Sequence, residues 1–160
     1  MLILYPECYT EKFLCEYLGY SKKKYEKCIG KPAVINKIQS SNNSIVAIEI
    51  VDEDPMKTQH GSYKLYKEVD TFSGLRLLQK QNSRKHFLLE FCGEFERWIL
   101  YINKKAKIKP EDFDININQL HEYSIVNMPN NYKDFLKEIF EKNPAPIDKI
   151  KEWIYKCENM

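Results

Sequence analysis

The chain carries almost no charge bias: 25 basic and 23 acidic side chains leave a formal net charge of +2. No overall field therefore points to nucleic acid or to a membrane surface, and a nucleic-acid partner has to be argued from a local patch. It has no C-x-x-C pair, and its five cysteines (Cys8, Cys15, Cys28, Cys92 and Cys157) are odd in number. That excludes a simple disulfide framework and a zinc ribbon, and fits a reducing compartment. His60, His86 and His121 are isolated from one another and lack zinc-ligand spacing. No apolar run is long enough to span a bilayer. The apolar start, Met1 to Tyr5, is too short for a signal peptide and charges follow it, so a cytoplasmic location with no membrane partner is expected. A P-loop and a G-x-G-x-x-G are both absent, which excludes a self-contained NTPase or dinucleotide enzyme. Internal repeats and low-complexity tracts are missing too.

What is present reads as one α/β domain. A chain of 160 residues buries roughly 70% of its unfolded surface, enough for one sizeable core. Residues 2–5 form a short apolar run suited to a buried strand. Thr10 follows as a helix N-cap with Glu11 in the first turn, then Phe13, Leu14, Tyr17 and Leu18 at helical spacing, with Gly19 ending the element. A weak strand is expected at Tyr25–Ile29 and a second helix at Val34, Ile35 and Ile38, after Pro32. Ser40–Ser44 is a loop by composition. Ile45–Val51 is a dense β-branched run and the clearest central strand; it ends in Asp52-Glu53-Asp54-Pro55.

Beyond it, 56–73 reads as a loop with a short helix around Tyr63, Leu65 and Tyr66. Leu75–Gln79 and His86–Phe91 read as a hairpin turning through Asn82-Ser83. Phe95, Trp98, Ile99 and Ile102 mark a helix. Two further amphipathic stripes, Tyr132/Phe135/Leu136/Ile139/Phe140 and Ile147/Ile150/Trp153/Ile154/Cys157, are separated by Pro144-Ala145-Pro146. The expected architecture is a partly parallel sheet flanked by helices, with residues 1–109 as the α/β part and 110–160 as a helical extension packed on the same domain.

In such sheets ligands bind at the carboxyl ends of the strands. Glu7 and the Asp52/Asp54 pair both lie just past strand carboxyl ends. In extended backbone, side chains at i and i+2 project to the same side, so Asp52 and Asp54 are set together. Two such carboxylates repel unless one is protonated or a cation bridges them. A hard cation such as Mg²⁺ prefers oxygen ligands and keeps several waters when one or two carboxylates bind it. Glu7, on a neighbouring exit loop, would add a ligand or act as general acid or base. The bland reading of the same acids is as caps of the helices that follow.

These residues carry a family resemblance. Leu2-Ile3-Leu4-Tyr5-Pro6-Glu7-Cys8-Tyr9-Thr10-Glu11-Lys12-Phe13-Leu14 resembles the first motif of the Toprim family, an apolar strand ending in Glu-Gly before an acid that opens a helix. Ile48-Glu49-Ile50-Val51-Asp52-Glu53-Asp54 resembles its second motif, an apolar strand ending in Asp-x-Asp. Cys92-Gly93-Glu94-Phe95-Glu96-Arg97-Trp98-Ile99-Leu100 is similar to a helix start in stand-alone Toprim-like proteins of bacterial defence loci. The likeness covers about residues 2–100. It departs from the pattern at Cys8, where the family has glycine, and after Asp54, where Pro55 and Met56 stand.

The resemblance implies a Toprim-like fold and Mg²⁺- or Mn²⁺-dependent phosphodiester chemistry, chiefly cleavage of DNA or RNA. It implies Glu7 as the acid/base residue and Asp52 and Asp54 as metal ligands, with Glu7, Glu11 and Glu96 as further candidate ligands. Lys57, Lys64 and Lys85, with Arg76 and Arg84, follow the acidic strand and either contact phosphates in such a site or form a solvated surface. The ATPase domain of larger defence nucleases is lacking here, so an ATPase partner would be a separate chain.

The alternative from a different class is a non-catalytic interaction module of a defence or mobile-element system that keeps the fold. In that reading the helical third, through Phe135, Phe140 or Trp153, docks a protein partner. A receiver-like phospho-acceptor expects an acidic pair after the first strand, which Glu7 alone fits poorly. Lys104, Lys105, Lys107 and Lys109 form a basic run that either touches a nucleic-acid backbone or complements a helix C-terminus. Cys8, beside Glu7 at a helix start, has no histidine partner to activate it as a nucleophile.

Overall fold

The computed structural model describes residues 1–25, 45–53 and 64–160. The expected helix near Val34, the Ser40–Ser44 loop, most of the weak strand after Tyr25, and Asp54, Lys57 and His60 lie outside the described residues. The elements in chain order are β1 (Leu2–Pro6), α1 (Tyr9–Tyr17), β2 (Val46–Asp52), β3 (Tyr66–Phe72), β4 (Leu75–Lys80), β5 (His86–Phe91) and α2 (Phe95–Ala106). Short 3-10 turns at Pro110–Phe113 and Ile117–Gln119 lead to α3 (Leu120–Ile125), α4 (Asn130–Lys142) and α5 (Ala145–Glu158).

The five strands make one mixed sheet in the order β1-β2-β5-β4-β3. β1, β2 and β5 run parallel, while β4 and β3 extend the sheet by antiparallel pairing. The fold is α/β, a partly parallel sheet flanked by helices with a helical C-terminal third. All-buried runs in β2 and β5 explain why these two strands stand out in the sequence: a strand covered on both faces is continuously apolar rather than alternating.

Even-numbered side chains of β1 and β2 (Leu2, Leu4, Val46, Ile48, Ile50) and odd-numbered ones of β4 and β5 (Leu75, Leu77, Phe87, Leu89, Phe91) face one core. The helices complete that core with Phe13, Trp98, Tyr132, Phe135, Phe140, Ile150 and Trp153. Phe135, Phe140 and Trp153 are at most 1% exposed, so both C-terminal stripes are core and not a docking face. Burial of these stripes drives the helices to form.

Two readings need correction. Residues 66–72 are a strand, not part of a loop and short helix. β3 is a sheet edge: Lys67, Glu68 and Val69 are exposed, and a register shift between Glu68 and Asp70 interrupts the alternation. An exposed, bulged edge has no clean period of two to read. It turns into β4 through Ser73 (φ 47°) and Gly74 (φ 77°), two positive-φ residues as a tight I′ hairpin requires. The β4–β5 hairpin does pass through Asn82, at φ 64°. The second correction is at α1: Cys8, not Thr10, is the N-cap, and Thr10 is buried in the first turn.

Candidate functional site at the carboxyl edge of the parallel strands

Register brings the acids together. β1 pairs with β2 so that Pro6 lies opposite Ile50, which places the Glu7 exit beside Val51 and Asp52 on a strand about 5 Å away. β2 continues against β5 with Asp52 opposite Phe91. The carboxyl ends of β1, β2 and β5 therefore form one edge, from which α1 and α2 both start.

On the β1 side the chain bends at Glu7 and Cys8 before α1. Cys8 is extended, at φ −130° and ψ −174°, a backbone any residue adopts, so the missing glycine carries no conformational cost here. Glu11 is 1% exposed. Its Oε2 accepts the Glu7 N–H at 2.5 Å and the Cys8 N–H at 2.7 Å, satisfying donors that the helix start leaves unpaired. Burial, then the negative charge of Asp52, then that of Glu7 push the Glu11 carboxyl well above its ordinary range, against the two N–H bonds that favour the ionised form. Cys8 Sγ lies 2.9 Å from Thr10 Oγ1. Burial, followed by the Glu11 charge, raises the Cys8 thiol far above its usual value, the reverse of what a nucleophile needs.

On the β2 side, Asp52 Oδ1 accepts the Phe95 N–H at 2.9 Å. Phe95 opens α2, so Asp52 caps a helix distant in sequence and sits at its positive end. The neighbouring Glu53 accepts from Arg76 at 2.6 Å and from the Gly93 N–H at 3.1 Å. Arg76 also binds the buried Glu90 at 2.9 and 2.6 Å. Glu96, in the first turn of α2, is 7% exposed, and its Oε2 has no hydrogen-bond partner among the described residues. His121 Nδ1 lies 3.9 Å from Glu96 Oε1. The fully buried Tyr132 hydroxyl also lacks a well-formed hydrogen bond among the described residues. Burial, then the Glu96 charge, disfavour its phenolate, with Ser124 acting the other way.

The structure thus gathers Glu7, Glu11 and Asp52 at one edge, with Glu96 one residue beyond the Asp52–Phe95 contact. Asp54 and Lys57 lie outside the described residues. Lys64 and Lys85 are not brought to the acids. Lys85 precedes β5, and Lys64 precedes β3, whose first residue pairs with Lys80 at the far end of β4. Both sit at the opposite edge of the sheet, about 20 Å away along a six-residue strand. Arg84 shares that edge, and Arg76 is engaged by Glu53 and Glu90. Proximity in sequence to the acidic strand misleads because a strand carries the chain across the whole sheet. His121, away from the other histidines in sequence, lies beside Glu96. Tyr132 belongs to an apolar stripe, and such a stripe gives no sign that the Glu96 charge acts on its hydroxyl.

Among the described residues no three His, Cys, Asp or Glu side chains are grouped closely enough to hold an ion as they stand. No helix among them is long and apolar enough to cross a membrane. Comparison of the chain with protein-family models, with curated proteins and with solved structures found no match.

Proposed function

We propose that the carboxyl edge is a divalent-cation site for phosphodiester chemistry, most directly cleavage of a nucleic acid, in a protein that resembles the Toprim family. The observation that supports this reading is the burial of the Glu11 carboxyl within reach of the Asp52 and Glu7 charges, an arrangement whose ionised form is favoured by a cation and whose neutral form is favoured by a proton. The donor set fits a hard cation: it is made of carboxylate oxygens. Asp52 and Glu11 each have one oxygen anchored by backbone N–H groups, the kind of support that orients ligands.

A bound Mg²⁺ or Mn²⁺ would supply charge stabilisation for a phosphate oxygen. Asp52 holds its position against α2, Glu11 holds the β1–α1 turn, and Glu7 stands at the mouth of that turn as the candidate proton carrier. Asp54 and Glu96 are the further candidate ligands. Lys64 and Lys85 have no part in this version of the site.

The test is a cleavage assay on single-stranded DNA, duplex DNA and RNA with Mg²⁺ or Mn²⁺. Cleavage is expected from the wild type and is expected to fall by at least two orders of magnitude in Asp52→Asn and Glu7→Gln, since a general acid or base alone contributes about 10²–10⁴-fold. Cleavage that survives both substitutions would sink the assignment.

A further inference from the structure

Next to the acid edge lies a second feature that this chemistry leaves unused. A pocket of about 270 Å³ is walled by Gly74, Cys92, Arg97, Trp98 and Tyr101. It opens where the β3–β4 turn meets the end of β5, held by the Cys92 N–H donating to the Gly74 carbonyl at 2.9 Å. Gly74 is needed there twice over. Its φ is +77°, and a Cβ would sit 3.3 Å from the Trp98 ring and 3.8 Å from the Tyr101 ring. Trp98 is locked in place by its indole N–H donating to the Ser73 carbonyl at 3.1 Å, while Tyr101 is 52% exposed. The volume falls below the roughly 300–1,000 Å³ of pockets that hold drug-sized ligands, and the rings of Trp98 and Tyr101 form part of its wall.

Cations lie along the α2 side of this pocket, while on its β5 side Arg76 and the carboxylates Glu53, Glu90 and Glu68 act on Cys92. Arg97, Tyr101, Lys104 and Lys105 are all exposed and, at i, i+4, i+7 and i+8, share one face of α2. Arg97 is 78% exposed and pairs loosely with Glu94 at 3.6 Å, a surface contact of little strength. Lys104 and Lys105 alone would be explained by the helix C-terminus, but that account does not cover Arg97 or an exposed tyrosine between cations. Leu75 pairs with Phe91, and Phe91 with Asp52, so the pocket lies two strands, or about 10 Å, from Asp52. That is within one or two nucleotides along a strand.

We propose that this face of α2 is a track for a single-stranded nucleic acid, with one unpaired base seated in the pocket against Tyr101 and its backbone along Arg97, Lys104 and Lys105. The proposal rests on the reading of the acid edge as a phosphodiester site and adds the substrate's form: unpaired bases, because a base inside a duplex cannot reach a ring on a helix surface. Stacking on an exposed aromatic between cations is the general means by which single strands are held.

The experiment is fluorescence anisotropy of a short fluorescein-labelled oligodeoxythymidylate, with EDTA present so that the probe stays intact. Tyr101→Ala is expected to weaken binding about tenfold or more, and Tyr101→Phe to bind like the wild type. Lys104→Gln with Lys105→Gln should flatten the salt dependence by about 1.4 in log–log slope, about 0.7 for each phosphate that is no longer neutralised. Annealing the probe to its complement should weaken binding. A Tyr101→Ala protein with wild-type melting that binds as tightly as the wild type overturns the proposal, as does equal affinity for the duplex or no binding of the probe. Tyr101-dependent binding without any Mg²⁺-dependent cleavage supports the track and overturns the acid-edge reading instead.

Discussion

Asp52→Asn separates the cap that Asp52 forms from the metal binding proposed for it. In the metal-free protein its Oδ1 accepts the buried Phe95 N–H at 2.9 Å, and an asparagine Oδ1 can do the same. The substitution removes the charge at the start of α2, worth about 0.3–1 kcal/mol, and at the same time removes a like charge beside Glu11. These oppose each other, so the net change should stay within about 1 kcal/mol. For a domain of this size that moves Tm by roughly 2–4 °C at most. Asp52→Ala is different: it leaves the Phe95 N–H without its acceptor, which costs about 1–3 kcal/mol and lowers Tm by about 2–12 °C.

Metal response then reads the charge alone. At a Mg²⁺ concentration about 100 times the Kd, the wild type gains about 2.7 kcal/mol, a rise of about 5–11 °C. Asp52→Asn should lose most of that rise while melting near the wild type in EDTA. Thermal denaturation followed by circular dichroism, with and without Mg²⁺, measures both. If Asp52→Asn falls as far as Asp52→Ala in EDTA, the cap argument is refuted. A full Mg²⁺ response in Asp52→Asn would remove Asp52 from the metal site.

Three further outcomes are expected. The Glu11 carboxyl is raised above its unfolded value of 4.5, so its contribution is complete below that pH and is lost as pH rises through the folded value; urea denaturation of Glu11→Gln in EDTA should show this alkaline-side decline removed, and an unchanged pH profile would contradict it. His86 is buried with neither ring nitrogen hydrogen-bonded among the described residues, and burial, then Lys80, lower its pKa below 6.5; stability from His86 is therefore complete above pH 6.5 and falls as pH drops through the lowered value, a slope that His86→Phe should abolish in the same assay. The Trp153 indole donates to Asp70 at 2.8 Å and, with Lys149, holds the Asp70 carboxyl at about 2; Trp153→Phe should raise that value in an NMR titration, whereas Trp153→Ala should cost about 3–5 kcal/mol in urea denaturation.

The legible parts of the fold are those whose pattern is set by burial. β2 and β5 are buried along their length, α4 and α5 bury one stripe each, and all four can be located from residue types alone. β3 cannot, because an exposed edge strand is shaped by its partner β4 and by the Ser73-Gly74 turn rather than by its own alternation. At the site, Glu7 and Asp52 are legible because a strand end is a place, and adjacency of β1 and β2 makes those places neighbours. Lys64 and Lys85 mislead because sequence distance says nothing about which end of a strand a loop occupies. Tyr132 and the His121–Glu96 contact depend on how α3 and α4 fold back over α2, information that no local window contains.

Capping alone does not explain the choice of acids at this edge. Asp52 accepts the first N–H of α2, and Glu11 accepts two N–H groups before α1. Asparagine and glutamine offer the same acceptor oxygen without the charge. At an isolated helix start the acid gains from the dipole, which would favour aspartate over asparagine. Here the gain is opposed, because Glu11 is fully buried and both Asp52 and Glu7 raise the cost of ionising it. A pair of amides would keep the caps and drop the repulsion, so selection for folding alone has a less strained solution one atom away. The proposed cation would give the carboxylates a reason for their charge that capping does not. Their hydrogen bonds build the edge, and their charge is what such a cation would use.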